Sequence, residues 1–167
     1  LSLAYRQAEA RDLPFIVDSW VESWRTAHAA GQIPMVFYHE DVEKYVRWFL
    51  QRPGVRIYVA HHPDVSSDTR ADLYGFLVVE DDVEIPQRVR IRGRWEERLI
   101  PADCPIVLYV YVKSAYRRQG IARGLFDVAS VDTSRRFLYA AKTPIVSKIS
   151  LFRNAEWAPL ACRFPKN

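Results

Sequence analysis

The sequence predicts an α/β (α+β) domain with a mixed, mostly antiparallel central sheet flanked by helices. Three observations carry this. Two stretches early in the chain repeat apolar residues at the three- and four-residue steps of an amphipathic helix. Two strand-like runs then follow each other across a polar loop, as an antiparallel pair does. Further on, residues 106–112 are apolar without a break, as a strand covered on both faces must be. With 167 residues, 49% hydrophobic and 26% charged, the chain suits one globular domain able to bury roughly 70% of its unfolded surface.

Residues 3–9 alternate enough for a first strand. Ala10-Arg11-Asp12-Leu13-Pro14 reads as a helix start, with Asp12 capping and Pro14 inside the first turn. That helix is expected to run to about residue 28, burying a stripe of Ile16, Val17, Trp20, Val21 and Trp24. After a Gly31-Gln32-Ile33-Pro34 break, a second helix is expected over about 39–51, with Val42, Tyr45, Val46, Phe49 and Leu50 on one side and Pro53-Gly54 ending it. Residues 55–61 and 73–80 are strands, joined by the polar stretch 63–72. Between 81 and 105 the pattern is irregular, except that Arg88, Arg90 and Arg92 alternate with Val89 and Ile91 and so share one face of a short ribbon. The central strand 106–112 leads through a basic, glycine-bearing turn to a helix over about 120–130. One more strand is expected at 137–141 and a last helix at 147–156. No repeat or linker interrupts this order, which gives a single domain over 1–167 with an Arg-rich insertion at about 81–105.

Lys plus Arg is 24 against 20 acids, net +4, and the five arginines at 88, 90, 92, 94 and 98, less Glu96 and Glu97, account for +3 of it. A basic segment this local argues for a local contact rather than a nucleic-acid-coating surface. Cys104 and Cys162 give neither a disulfide framework nor a four-ligand zinc site, and His61-His62 lacks a third ligand, so no metal is expected. No apolar run is long enough for a signal peptide or membrane span, so no membrane partner and a cytoplasmic location are expected.

The chemistry lies in the segment from Val110 through Arg117-Arg118-Gln119-Gly120-Ile121-Ala122-Arg123, a buried strand feeding a turn that opens a helix. The first helical turn has four N–H groups without internal partners, and with the macrodipole they attract a phosphate or pyrophosphate. Gly120 and Ala122 let oxygen atoms approach the backbone, while Arg117, Arg118 and Arg123 add formal charge.

This segment resembles the cofactor motif of the GNAT superfamily of acyl-CoA N-acyltransferases, Arg/Gln-x-x-Gly-x-Gly/Ala after a strand ending in Val-x-Pro-x-Tyr. Val112, Tyr116, Arg117, Gly120, Ile121 and Ala122 fall on those positions, with Ser114 where the family usually has Pro. Upstream, Arg6-x-Ala8, Asp12-Leu13-Pro14 and Ile16 resemble the family's first strand and helix, and Leu73-Tyr74-Gly75-Phe76 its third strand. The resemblance covers about residues 3–157 and implies a sheet splayed at its fourth and fifth strands.

It also implies acetyl-CoA, or another acyl-CoA, as cofactor. The backbone of Tyr111 and Val112 would pair with the pantetheine amides, the turn from Arg117 to Ala122 with Arg123 would hold the pyrophosphate, and a strand N–H of Tyr111 or Val112 would polarise the thioester carbonyl. Candidate bases are Glu80, Asp81, Asp82 and Asp103, with Glu80 first because it ends a core strand. Phe152 falls where many relatives carry the tyrosine that protonates the departing thiolate, leaving water, Ser147, Ser150 or Tyr109 for that task. The acceptor mouth would take Trp24, His28, Phe37, Tyr38, His39 and Trp157. The leading expectation is transfer to a small-molecule amine. One alternative is the same chemistry on a nucleic acid, tracked by Arg88, Arg90, Arg92 and Arg94 with Trp95 stacking a base. Another is a catalytically silent CoA-binding module. Oligomeric state stays open, a homodimer included.

Overall fold

The way the chain enters its first helix is fixed by one buried charge. Arg6, in the first strand, places two guanidinium nitrogens 2.6 and 3.0 Å from the carboxylate of Asp12, which also accepts the Glu9 N–H at 2.7 Å. Asp12 therefore closes a short 3₁₀ turn, Ala10–Asp12, whose cap is Glu9, and does not itself cap the helix that follows. In this computed structural model the described residues are 2–27, 35–63, 72–141, 146 and 149–158. They form β1 (Ala4–Gln7), α1 (Leu13–Ala27), α2 (Met35–Leu50), β2 (Val55–His61), β3 (Leu73–Glu80), β4 (Glu84–Ile91), β5 (Arg94–Pro101), β6 (Ile106–Val112), α3 (Ile121–Val128), β7 (Phe137–Tyr139) and β8 (Ala155–Trp157). No helix among them is long and apolar enough to cross a membrane.

Six strands make the main sheet in the order β1-β2-β3-β6-β7-β8. The pairs from β1 to β6 are antiparallel, and β6-β7 and β7-β8 are parallel, so the mixed, mostly antiparallel sheet expected from sequence is present. All eight residues of β3 are buried, because helices cover both faces. On one face α1 and α2 pack Phe15, Ile16, Trp20 and Phe49 against Phe76, Val78, Leu108 and Tyr109. On the other, α3 packs Ile121, Leu125 and Phe126 against Leu77, Val79, Val107 and Phe137.

Three expectations are corrected. First, 81–105 is not irregular: β4 and β5 form a separate two-stranded hairpin around Ile91-Arg92-Gly93-Arg94. Arg92 (φ 47°) and Gly93 (φ 82°) both take positive φ, as a tight two-residue hairpin turn demands. Arg92 therefore lies in the turn and not on the face of Arg88 and Arg90. Second, β7 stops at Tyr139. Third, the expected last helix is a 3₁₀ turn, Ser150–Phe152, followed by β8; residues 147 and 148 lie outside the described ones. The extended course has identifiable ties. Asn154 Nδ2 donates to the carbonyls of Thr133 and Ser134 at 3.0 and 3.1 Å, and Arg136 holds Glu156 at 2.8 Å, so the segment is drawn alongside β7.

Asp12→Ala is expected to cost about 3 kcal/mol in denaturant unfolding, since Arg6 loses its partner and the Glu9 N–H its acceptor. Burial alone would raise the Asp12 pKa, but the hydrogen bonds from Arg6 and the Glu9 N–H outweigh it and hold the carboxyl below its usual range. The stabilisation is therefore complete above the ordinary carboxylate pKa and is lost as pH falls through the lowered one. Asp12→Asn should flatten that acid limb of the stability curve.

Candidate functional site

The site is made by a change of parity in β6. Val78 pairs with Tyr109 but Val79 pairs with Val107, so Leu108 is an extra residue, a β-bulge. Before the bulge, the carbonyls of Pro105 and Val107 accept from Leu138 and Ala140 on the β7 side. Beyond it, Lys113 N–H donates to the Tyr74 carbonyl at 2.9 Å, which sets the hydrogen-bonded pairs with β3 at 74/113, 76/111 and 78/109. Val110 and Val112 consequently turn their N–H and C=O groups away from β3. β7 pairs only with Ile106 and Val107, so a cleft opens beside the second half of β6, the splay expected between the fourth and fifth strands of the sheet.

Adjacent residues of a strand face opposite edges, so Tyr111 and Val112 cannot both serve the cleft. Tyr111 is directed to β3, where its carbonyl lies so close to Gly75 that a Cβ there would come within 2.5 Å of it. Val110, not singled out from sequence, takes its place. Only the bulge reveals this, and nothing in an unbroken apolar run marks where a bulge falls.

The turn after β6 has the form of an anion cradle. Arg117 folds back, Nε donating to the Val112 carbonyl at 3.1 Å. Arg118 (φ 64°) and Gly120 (φ 79°) both adopt left-handed backbone, uncommon for an arginine. Space beside Gly120 is open for 4 Å around a hypothetical Cβ, so the first-turn N–H groups of α3 are reachable. The adjoining cavity measures about 740 Å³ and is lined by Val110, Val112, Tyr116, Arg117, Arg118, Gly120 to Arg123, and Ile149 to Phe152. Of the cofactor residues expected from sequence, Tyr111 and Gln119 do not line it. Its second wall comes from the 3₁₀ turn Ser150–Phe152 and the preceding Ile149. Phe152 there packs against Phe126, Phe137 and Tyr139, with centroids 5.7, 5.6 and 5.5 Å away.

Glu80 and Tyr109 lie on the opposite, α1/α2 face. Glu80 is 3% exposed; Arg52 Nη2 lies 2.8 Å from its Oε1, while its buried Oε2 has no hydrogen-bond partner among the described residues. Burial pushes its pKa up, and Arg52 offsets only part of that. Tyr109 stacks on Trp20 at 4.6 Å, and its hydroxyl lies 2.9 Å from Ser23 Oγ. Since Ser23 donates to the Ser19 carbonyl, the phenol is the donor of that pair. Burial raises the Tyr109 pKa, and the Ser23 hydrogen bond works against it.

The expected acceptor residues are only partly brought together. Trp24 is half-buried, its ring 6.0 Å from that of Tyr109. Tyr38 is buried, donates to the Val21 carbonyl at 2.9 Å, and has its pKa pushed up to about 12 by burial, so its hydroxyl belongs to the helix pair. His39 is exposed, edge-on to Tyr38. Trp157 is exposed on β8, the outermost strand, two strands from β6. His28, Ser147 and the side chain of Phe37 fall outside the described residues. The set expected to track nucleic acid is divided. Arg88, Arg90 and Trp95 share one hairpin face, with Arg88 directly opposite Glu97; Arg94 pairs with Ile91 and takes the other face.

No protein-family model matches the chain, and no curated protein does. Solved structures match along most of its length. A Pyrococcus furiosus protein provisionally designated an acetyl transferase aligns at TM-score 0.56 and 13% identity, over 88% of this chain and 89% of that one. A Clostridium acetobutylicum protein assigned as an acetyltransferase and solved with acetyl-CoA aligns at 0.53 and 12%, over 90% and 86%. A Corynebacterium glutamicum protein described as histone acetyltransferase HPA2 and related acetyltransferase aligns at 0.51 and 16%, over 77% and 70%. The fold is that of the GNAT acetyltransferases. In this GNAT fold the cradle opens on the α3 face while Glu80 and Tyr109 face α1 and α2, and the two sides meet only at the splay beside β6.

Gly120→Ala adds a side chain to a left-handed residue but fills open space. It is expected to cost about 1 kcal/mol in thermal unfolding, and a loss well above that would mean the cradle is packed rather than open.

Proposed function

We propose that the chain is an acyl-CoA-dependent N-acyltransferase acting on a small-molecule amine. One observation carries the reading: a 740 Å³ cavity joins the open cradle at Gly120 to the unpaired edge of β6. A pocket of that size suits a cofactor rather than a single ion. The first-turn N–H groups of α3, with Arg117, Arg118 and Arg123, would hold the pyrophosphate, and the cleft-facing N–H and C=O of Val110 and the N–H of Val112 would meet the pantetheine amides, the Val112 carbonyl being held by Arg117. Bound there, an acyl-CoA supplies an electrophilic thioester carbon and a thiolate leaving group.

The chain supplies the rest. A cleft-facing N–H of β6 donates to the carbonyl oxygen. Arg52 holds Oε1 of Glu80, and Oε2 takes the proton that the amine must lose; a carboxylate with a raised pKa is a stronger base for it. Tyr109 gives its phenolic proton to the departing sulfur by turning its hydroxyl from Ser23 Oγ, with the phenol ring held against Trp20. Phe152 brings no hydroxyl to the cavity wall, which supports Tyr109 in that task. The acceptor would enter from the α1/α2 face past Trp24.

Calorimetric titration with acetyl-CoA should give binding that Arg117→Glu and Gly120→Trp each weaken at least roughly tenfold. Absence of binding to the folded wild type by both acetyl-CoA and CoA would overturn the reading. In a thiol-release assay over an amine panel, Glu80→Gln should lower kcat by roughly a hundredfold or more and leave the acetyl-CoA KM unchanged. The wild-type rate should rise with pH through the raised Glu80 pKa, a limb that Glu80→Gln removes. Binding without turnover on any amine would leave a CoA-binding module.

A further inference from the structure

The β4-β5 hairpin is physically anomalous. An isolated two-stranded hairpin is marginally stable in water, since neither face is buried. Here two eight-residue strands stand apart from the main sheet, and among their described side chains only Ile85 joins a core. β5 is exposed from Arg94 to Leu99, with Trp95 at 68% and Leu99 at 53%. Trp95, Glu97 and Leu99 alternate along one face, which they share with Arg88 and Arg90 on β4. A large aromatic held open among arginines is the composition of an interface centre.

The charge on this face points away from a polyanion. Arg88 stands directly opposite Glu97, and Arg90 opposite Trp95. Each row thus joins two complementary groups, acid with base and cation with aromatic ring. We infer that this face docks a second copy of the chain through a two-fold axis running along the ribbon. Such an axis lays β4 of one copy over β5 of the other in the same row, so Arg88 meets the partner's Glu97 and Arg90 meets the partner's Trp95, each twice. The contact is isologous and self-complementary. A ribbon roughly 26 Å long lies at the low end of specific interfaces, so the association is weak and concentration-dependent. This inference stands independently of the acyltransferase reading.

Sedimentation of the full chain, from low to several hundred micromolar, should show reversible dimerisation. R88E alone sets acid over acid and E97R alone sets base over base, so each should sediment as monomer at concentrations where the wild type dimerises. An equimolar mixture of the two should dimerise again, because the reversed charges then face each other across the axis. Injury to the hairpin itself would not be rescued by mixing. Should a reversal unfold the chain, Trp95→Ala carries the test, with weakened association and an unchanged melt expected. A monomeric wild type throughout, a dimer indifferent to these changes, or a mixture that stays monomeric overturns the inference. So does steeply salt-dependent binding of a single-stranded oligonucleotide that R88E abolishes, if the mixture fails to dimerise.

Discussion

The bulge at Leu108 governs most of what this structure can do. A strand in mid-sheet normally spends both edges on its neighbours, and β6 does so as far as Val107. One additional residue reverses the parity beyond that point, so Leu108 and Tyr109 both turn toward α1 and α2 while Val110 and Val112 face α3. The same reversal turns the backbone groups of Val110 and Val112 to the side where β7 has already ended, and of these the Val112 carbonyl accepts from Arg117 Nε. A cavity floor of backbone groups turned away from β3, and a phenol on the reverse face of the same strand, thus follow from one local defect.

Around that strand, three ion pairs stand at the ends of the sheet, and their Asp12 and Glu80 are the buried charged residues among the described ones. Arg6 with Asp12 anchors the approach to α1, Arg52 with Glu80 closes β3 against α2, and Arg56 lies 2.5 Å from Asp81 and 3.1 Å from the Ala129 carbonyl after α3. Asp12 and Asp81 have both carboxylate oxygens engaged, whereas Glu80 has one. A half-satisfied buried carboxylate costs stability that a fully paired one does not. Glu80 lies at the end of β3 opposite Ile106, where β6 is still paired with β7.

The sequence by itself determined the layered arrangement and the open turn at Gly120. Period-two and period-3.6 patterns depend on which faces are buried, so β2, β3 and β6 were legible to the residue, and α1 nearly so. The turn at Gly120 was legible because left-handed backbone and an open helix start favour a particular residue type at a fixed offset. Tertiary structure alone decided whatever depends on a neighbour. The bulge that replaces Tyr111 by Val110 exists only in register with β3, and the conversion of 150–157 from helix to turn and strand rests on Asn154 and Arg136 reaching other segments. The face on which each arginine of β4 and β5 stands required a turn through Arg92 and Gly93, and arginine is a poor advertisement for positive φ. Local pattern reports what a residue prefers; pairing across the sheet, which no single segment encodes, decides which backbone edge is left for chemistry.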